Sequence, residues 1–206
     1  MLPNTGIPTL APGFAAVPPG HIATIVTSLE MLRPPSPLPV RHLPSGIALE
    51  PLERADPETY RTLFRAVGAD WLWFSRLTLP DGALAAILAD REVEIFALRR
   101  EGRDIGMLEL DFRQPGACEL AFLGLTRSVI GTGIGRRLMN AAIRRAWARP
   151  ITRFWVHTCT LDHPDALAFY RRSGFDPCAV HVEVAPDPRL DGTLPRDCAP
   201  HVPRLR

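Results

Sequence analysis

The sequence predicts an α/β (α+β) domain built on a mixed sheet, and three observations carry that prediction. Short runs of alternating or continuous apolar residues recur along the chain, with helix-patterned runs between them. The 206 residues are 46% apolar and 22% charged, which suits one well-filled core. Proline collects at the two ends and leaves the middle free for regular structure. The expected division is a proline-rich arm over 1–44, a compact domain over 45–185 and an extended tail over 186–206.

The elements follow in order. Within the arm, HIATIVTSLEML is rich in β-branched residues and reads as a strand between two proline-rich stretches. It is read either as an added edge strand, or one crossing to a partner subunit, or as a loosely packed leader. GIALEPL alternates as a short strand. ADPETYRTLFRAVG reads as a helix with Asp56 as N-cap and Pro57 at its first position. The aromatic stretch DWLWFSRLTLP and a short helix, DGALAAILAD, come next. VEIFALRREGRDIGMLELDFR reads as two strands around a turn at Glu101-Gly102, with Leu108, Leu110 and Phe112 alternating with Glu109 and Asp111. CELAFLGLT is an apolar strand. A helix then runs to about Arg149 and stops at Pro150. TRFWVHTCT is a further strand, HPDALAFYRRS a helix opened by Pro164 and closed by Gly174, and HVEV a last strand. The tail is expected to wrap the surface.

Charge and cysteine content narrow the partners. The 24 basic residues, all arginine, against 22 acidic ones leave a net charge of +2, which gives no global attraction to nucleic acid or a membrane surface. Cys118, Cys159, Cys178 and Cys198 form no CxxC pair and suit neither zinc nor a disulfide framework. No signal-peptide pattern and no bilayer-length apolar run are read from the sequence. The expectation is a cytoplasmic, soluble protein with no metal.

The segment VIGTGIGRRLM carries the most chemistry. Gly131, Gly133 and Gly135 alternate between a strand and a helix that opens with Arg136 and Arg137. A helix start presents unpaired N–H groups and the positive end of its dipole, and bare backbone lets a phosphate approach. Cations in the first turn are unfavourable by themselves, so an anionic ligand would account for them. Glycine is missing at position 136, which excludes a dinucleotide fingerprint, and the absence of lysine excludes a GxxxxGK phosphate loop. The glycines alone leave a close-packed connector equally open.

A second motif follows after one more strand. IGTGIGRRLM and HPDALAFYRRSGF together resemble the GCN5-related N-acetyltransferase (GNAT) superfamily, whose signatures are a [QR]xxGx[GA] turn and a helix of form NxxAxxFYxxxGF. The turn aligns at Ile130-Gly131-Thr132-Gly133-Ile134-Gly135, and the helix at His163, Ala166, Phe169, Tyr170, Gly174 and Phe175. The likeness extends more loosely over residues 46–185. It implies a mixed, mostly antiparallel twisted sheet, splayed between its fourth and fifth strands and flanked by helices on both faces. Acetyl-CoA would lie in the opening as co-substrate, with its pyrophosphate on the glycine turn and its pantetheine arm on the backbone of Leu123 and Leu125. Two positions depart from the family pattern. Ile130 stands where Gln or Arg is usual, which shifts phosphate contact to main-chain amides with help from Thr132, Arg136 or Arg137. His163 replaces the usual Asn. These departures bear on how tightly the cofactor is held.

Acetyl transfer to an amine needs a neutral amine and a proton for the leaving thiolate. The resemblance places Tyr170 where many members carry the tyrosine that donates that proton; a core-packing role is its other reading. Glu119 is the candidate base, a lone carboxylate in an apolar strand, on the same strand parity as Leu123 and Leu125, with an ion pair to Arg113 as the alternative. It also aligns with the carboxylate that the histone-acetylating branch uses. Trp71, Trp73 and Phe74 either shape the acceptor side or fill a helix–sheet core. His157 and Cys159 share a strand face and read as pocket lining, without the ligands a metal would need. The expected function is acetyl-CoA-dependent transfer to a primary amine of a small molecule or peptide, by direct attack in a ternary complex. The competing readings are a non-catalytic acyl-CoA-binding regulator, and an interaction module or homodimer using the proline-rich arm.

Overall fold

A computed structural model describes residues 7–35, 42–52 and 56–204. The parts of the expected arm over 1–6 and 36–41, and the last two residues of the tail, lie outside the described residues. Among the described residues, seven strands form one sheet: β1 (His21–Met31), β2 (Ile47–Pro51), β3 (Val93–Arg100), β4 (Arg103–Asp111), β5 (Ala117–Leu125), β6 (Arg153–Cys159) and β7 (Asp176–Pro186). Their spatial order is β2-β3-β4-β5-β6-β1-β7. Every neighbouring pair is antiparallel except β5 and β6.

The parallel pair supplies the opening. Its register covers Ala117 to Glu119 against Arg153 to Trp155, and beyond that β5 and β6 part. This is the expected splay, moved up one strand number because the N-terminal strand comes first in the chain. That strand differs from its expected place. β1 is no edge strand: Val26 to Met31 pair with β6 on one side, and His21 to Glu30 pair with β7 on the other. Residues that read as an arm are therefore interior to the sheet and contribute Leu29 and Met31 to the core.

Helices cover both faces. Asp56 caps α1 (Pro57–Gly68) by accepting hydrogen bonds from the amides of Glu58 and Thr59, both at 3.0 Å. Its apolar stripe of Tyr60, Leu63, Phe64 and Val67 joins Leu84 of α2 (Asp81–Ala89) against Ile95, Ala97 and Met107 of the sheet. On the opposite face, Leu138, Met139, Ala142 and Ile143 of α3 (Ile134–Ala146) pack against Leu108, Leu110, Leu120, Phe154 and Val156. Tyr170 of α4 (Ala166–Arg171) joins the same cluster. Pro164 lies in the turn before α4 rather than at its first position.

Glu109 alternates with core residues, yet it is fully buried because α1 covers that face. It accepts the Tyr60 hydroxyl at 2.5 Å and an Arg76 guanidinium N–H at 2.6 Å. Burial and the Glu109 charge both push the Tyr60 phenol well above its ordinary range.

The C-terminal tail is mostly exposed and is pinned to the domain by a few buried residues. Arg189 is 1% exposed and pairs with Asp187 through Nε at 2.9 Å and Nη2 at 2.8 Å. Its Nη1 donates to the carbonyls of Ala199 at 3.1 Å and Val202 at 3.0 Å, closing the tail around itself. Leu194 and Ala199 then complete a third core cluster with Ile22, Leu72 and Leu161. An Arg189→Gln substitution should release the tail. Because the segment is terminal, the loss is expected as local undocking worth about 1–2 kcal/mol rather than global unfolding. Faster amide exchange over residues 190–204 with little change elsewhere checks it.

Candidate active site

The sheet opening leads into a cavity of about 550 Å³. One end is walled by the turn before α3 and by α4. The other is walled by the 71–75 turn, β1, β6 and β7.

Two of the three glycines have conformational work to do. Gly131 (φ 79°) and Gly133 (φ 81°) are in the left-handed region, and Gly133 is the residue that starts α3. A Cβ built on either would meet nothing within 4 Å, so each faces open space. Gly135 is helical, and its Cβ would come to 3.6 Å from Leu125 in ordinary contact. No side chain caps α3, and Gly131, Gly133, Gly135 and Arg136 line the cavity. The first-turn amides and the positive helix end thus face the void, as an anionic group requires.

The neighbours of this turn divide. Ile130 lines the cavity. Thr132 does not: its hydroxyl donates to the Val129 carbonyl at 2.7 Å. Ile134 is 2% exposed and belongs to the core. Arg136 bonds the Ser173 hydroxyl at 2.8 Å and lies 5.1 Å above the Phe169 ring, which ties α3 to the end of α4. Arg137 turns away to the His42 carbonyl. Phe169 and Arg172 also line the cavity.

The exposed edge of β5 faces the same space. The Thr126 N–H donates to the Ile105 carbonyl at 2.9 Å, towards β4. Alternation along an antiparallel strand then turns the N–H groups of Leu125 and Leu123 to the side that β6 has left. Both residues line the cavity.

Tyr170 is 8% exposed, packs edge-on to Phe169 and Phe175, and lines the cavity. Its hydroxyl has no hydrogen-bond partner among the described residues. Burial holds its phenol well above the ordinary range, so it stays protonated at neutral pH and can donate. His163 lines the cavity too. Its Nδ1 accepts the Asp165 N–H at 3.1 Å in the turn before α4, and its ring meets Trp71 edge-on at 5.3 Å.

Glu119 is not where strand parity placed it. Leu110 opposes Leu120 but Glu109 opposes Phe122, so Ala121 is an extra residue that forms a bulge. Leu120, Leu123 and Leu125 therefore share the α3 face, while Phe122 packs on the α1 face. Glu119, next to Leu120, falls on the α1 face, opposite Leu123 and Leu125. Arg113 is not its partner but binds Asp111, with Nη2 to Oδ2 at 2.5 Å. Glu119 stands behind His157, whose Nδ1 is 3.4 Å from Glu119 Oε1, and it is His157 that lines the cavity. The Glu119 carboxylate raises the His157 pKa above its ordinary 6.5 against the opposing effect of burial, and Asp162 and Glu183 add to the rise.

Trp71, Trp73 and Phe74 all line the cavity at the end formed by the 71–75 turn. Trp73 also packs its ring on Phe64 and Phe122 in the helix–sheet core. Its indole N–H donates to Asp162 at 3.0 Å, and the other Asp162 oxygen accepts the Thr158 hydroxyl and the Cys159 N–H. Asp162 is thus a strut between the 71–75 turn and the end of β6, missed in the sequence because its partner lies 89 residues away. Ile22, Thr24 and Val26 of β1 and Glu183 of β7 also line this end. They were hidden because local pattern does not say which strands become neighbours. Burial raises the Cys159 thiol pKa and keeps it protonated, which disfavours a nucleophile. Among the described residues, no group of three or more His, Cys, Asp or Glu could hold a metal ion, and no helix is long and apolar enough to cross a membrane.

A strand, a left-handed glycine turn and a helix start at a parted parallel pair define a class of protein. Residues 54–175 match the model of the acetyltransferase (GNAT) family, and the chain belongs to that family. No curated protein matches its sequence. Solved structures share its fold at low identity. A protein assigned to the GNAT family from Novosphingobium aromaticivorans is 19% identical with a TM-score of 0.54, over 82% of this chain and 68% of that one. A GCN5-related N-acetyltransferase from Kribbella flavida is 20% identical with a TM-score of 0.52, over 84% and 63%. An aminoglycoside acetyltransferase from an uncultured soil metagenomic sample, solved with sisomicin, is 20% identical with a TM-score of 0.51, over 62% and 87%.

Proposed function

We propose that the protein is an acetyl-CoA-dependent N-acetyltransferase that transfers the acetyl group to a primary amine by direct attack in a ternary complex. The observation that carries this reading is that the Gly131–Gly133 turn, the open edge of β5 and Tyr170 all border one cavity. The residues fit the cofactor. Main-chain amides over 131–136 would hold the diphosphate in the space that a Cβ at Gly131 or Gly133 would enter. Leu123 and Leu125 would pair with the pantetheine arm as an added strand does, with Ile130, His163 and Phe169 beside it.

Bound acetyl-CoA supplies an activated thioester. The C–N bond forms as the C–S bond breaks, so one proton must leave the amine and one must reach the sulfur. Tyr170 donates to the sulfur, since its phenol is held neutral. His157 takes the amine proton, and Glu119 orients the imidazole and stabilises its protonated form. This arrangement needs no metal.

The pH profile tests the base. His157 accepts a proton only when neutral, so kcat/KM should climb with slope one through a pKa above 6.5. A Glu119→Gln substitution removes the charge that favours the imidazolium. The rising limb should then move to lower pH, and the plateau should drop about tenfold through lost orientation. A limb that stays in place after Glu119→Gln would rule out the pair.

A further inference from the structure

Building on that reading, we infer that the acceptor is a hydrophobic primary monoamine, an amino group on an alkyl or aryl body, rather than a polyhydroxylated polycation. The acceptor end of the cavity is walled by Ile22, Val26, Trp71, Leu72, Phe74 and Leu161. Few polar groups there are free to bind a ligand. Both oxygens of Asp162 already accept hydrogen bonds, from Trp73, Thr158 and the Cys159 amide. The Thr24 hydroxyl is bonded to that of Thr160 at 2.8 Å. A sugar ring seated here would lose water from its hydroxyls without replacing those hydrogen bonds, which rejects it strongly. An apolar body gains by burying its surface against the same wall.

The charge at this end is sparse and of one sign. Glu183 lines the cavity from β7, opposite Thr24, and has no hydrogen bond or ion pair among the described residues. Asp165 also lines the cavity, but its side chain is 80% exposed and stands beside His163, towards the α4 end. The arginines of the cavity wall, Arg136 and Arg172, belong to α3 and the end of α4, at the glycine-turn end. A single unpaired carboxylate on the cavity wall that also carries His157 suits one incoming ammonium. Glu183 draws that ammonium in; His157, half exposed to solvent, takes its first proton and passes it to water, and is neutral again to take the second as the C–N bond forms. Glu183 is a recruiting residue, not a proton carrier.

The test is a steady-state comparison with the full chain and acetyl-CoA, read by release of the coenzyme thiol. 2-Phenylethylamine and hexylamine represent the proposed class, and sisomicin the polycationic sugars. The expected kcat/KM for the two monoamines exceeds that for sisomicin by about 100-fold. Glu183→Gln should raise the KM for 2-phenylethylamine about fivefold, with kcat and the KM for acetyl-CoA little changed. Preference for sisomicin, or a Glu183→Gln variant with an unaltered amine KM, would overturn the inference while leaving amine acetylation standing. Turnover of neither class by protein that binds acetyl-CoA would overturn the amine-transfer reading and this inference with it.

Discussion

Replacing Gly133 by valine should weaken acetyl-CoA binding by about 100-fold or more. Gly133 has φ 81° and stands at the first step of α3. A β-branched residue held there costs on the order of 1–3 kcal/mol. The chain can relieve that strain only by leaving the left-handed region, and the amides of the first turn then no longer converge on the cavity. Hydrogen bonds to a charged group contribute about 1.5–3 kcal/mol each, so losing one or two accounts for the expected change. Even without relaxation, the new side chain would project into space that holds no protein atom within 4 Å of its Cβ. Gly135→Ala is the contrast. That position is helical and its Cβ would make ordinary contact with Leu125, so binding should fall by less than about threefold. Calorimetric titration of acetyl-CoA into the two variants checks the difference.

Tyr170→Phe is expected to reduce kcat about 100-fold and to leave the acetyl-CoA Kd within about twofold of the parent. The phenyl ring keeps its contacts with Phe169 and Phe175, so packing is retained. Only the hydroxyl is removed, and no described residue depends on it for a hydrogen bond. A purely structural Tyr170 would tolerate this change with normal turnover. The burial that keeps the phenol protonated also bears on the alkaline side. With the donor held far above neutrality, activity should show no loss of the acid between pH 7 and pH 9.

Much of the frame was legible in the sequence because it is set by local chemistry. Asp56 and Pro57 announce α1, Gly131 and Gly133 announce the turn, and the Phe169–Tyr170 pair with Gly174 announces α4 and its end. The remainder depends on contacts between distant segments. The β1 sequence reads as a strand, but nothing local says that it pairs with both β6 and β7. One residue of bulge at Ala121 moved Glu119 to the other face, since the side-chain period of a strand is two. The tail looked loose because its proline-rich sequence forms neither helix nor strand. It is held instead by one buried guanidinium, Arg189, which collects the carbonyls of Cys198, Ala199 and Val202. Asp162 and Glu183 gained meaning only when Trp73 and His157 came into reach.

A crystal structure of the protein grown with coenzyme A bears most directly on the central claim. The diphosphate oxygens should lie about 3 Å from main-chain nitrogens of residues 131–136, with the pantetheine arm along Leu123 and Leu125 and its sulfur beside the Tyr170 hydroxyl. Coenzyme bound away from this turn, or a cleft left empty at saturating coenzyme, would contradict the account.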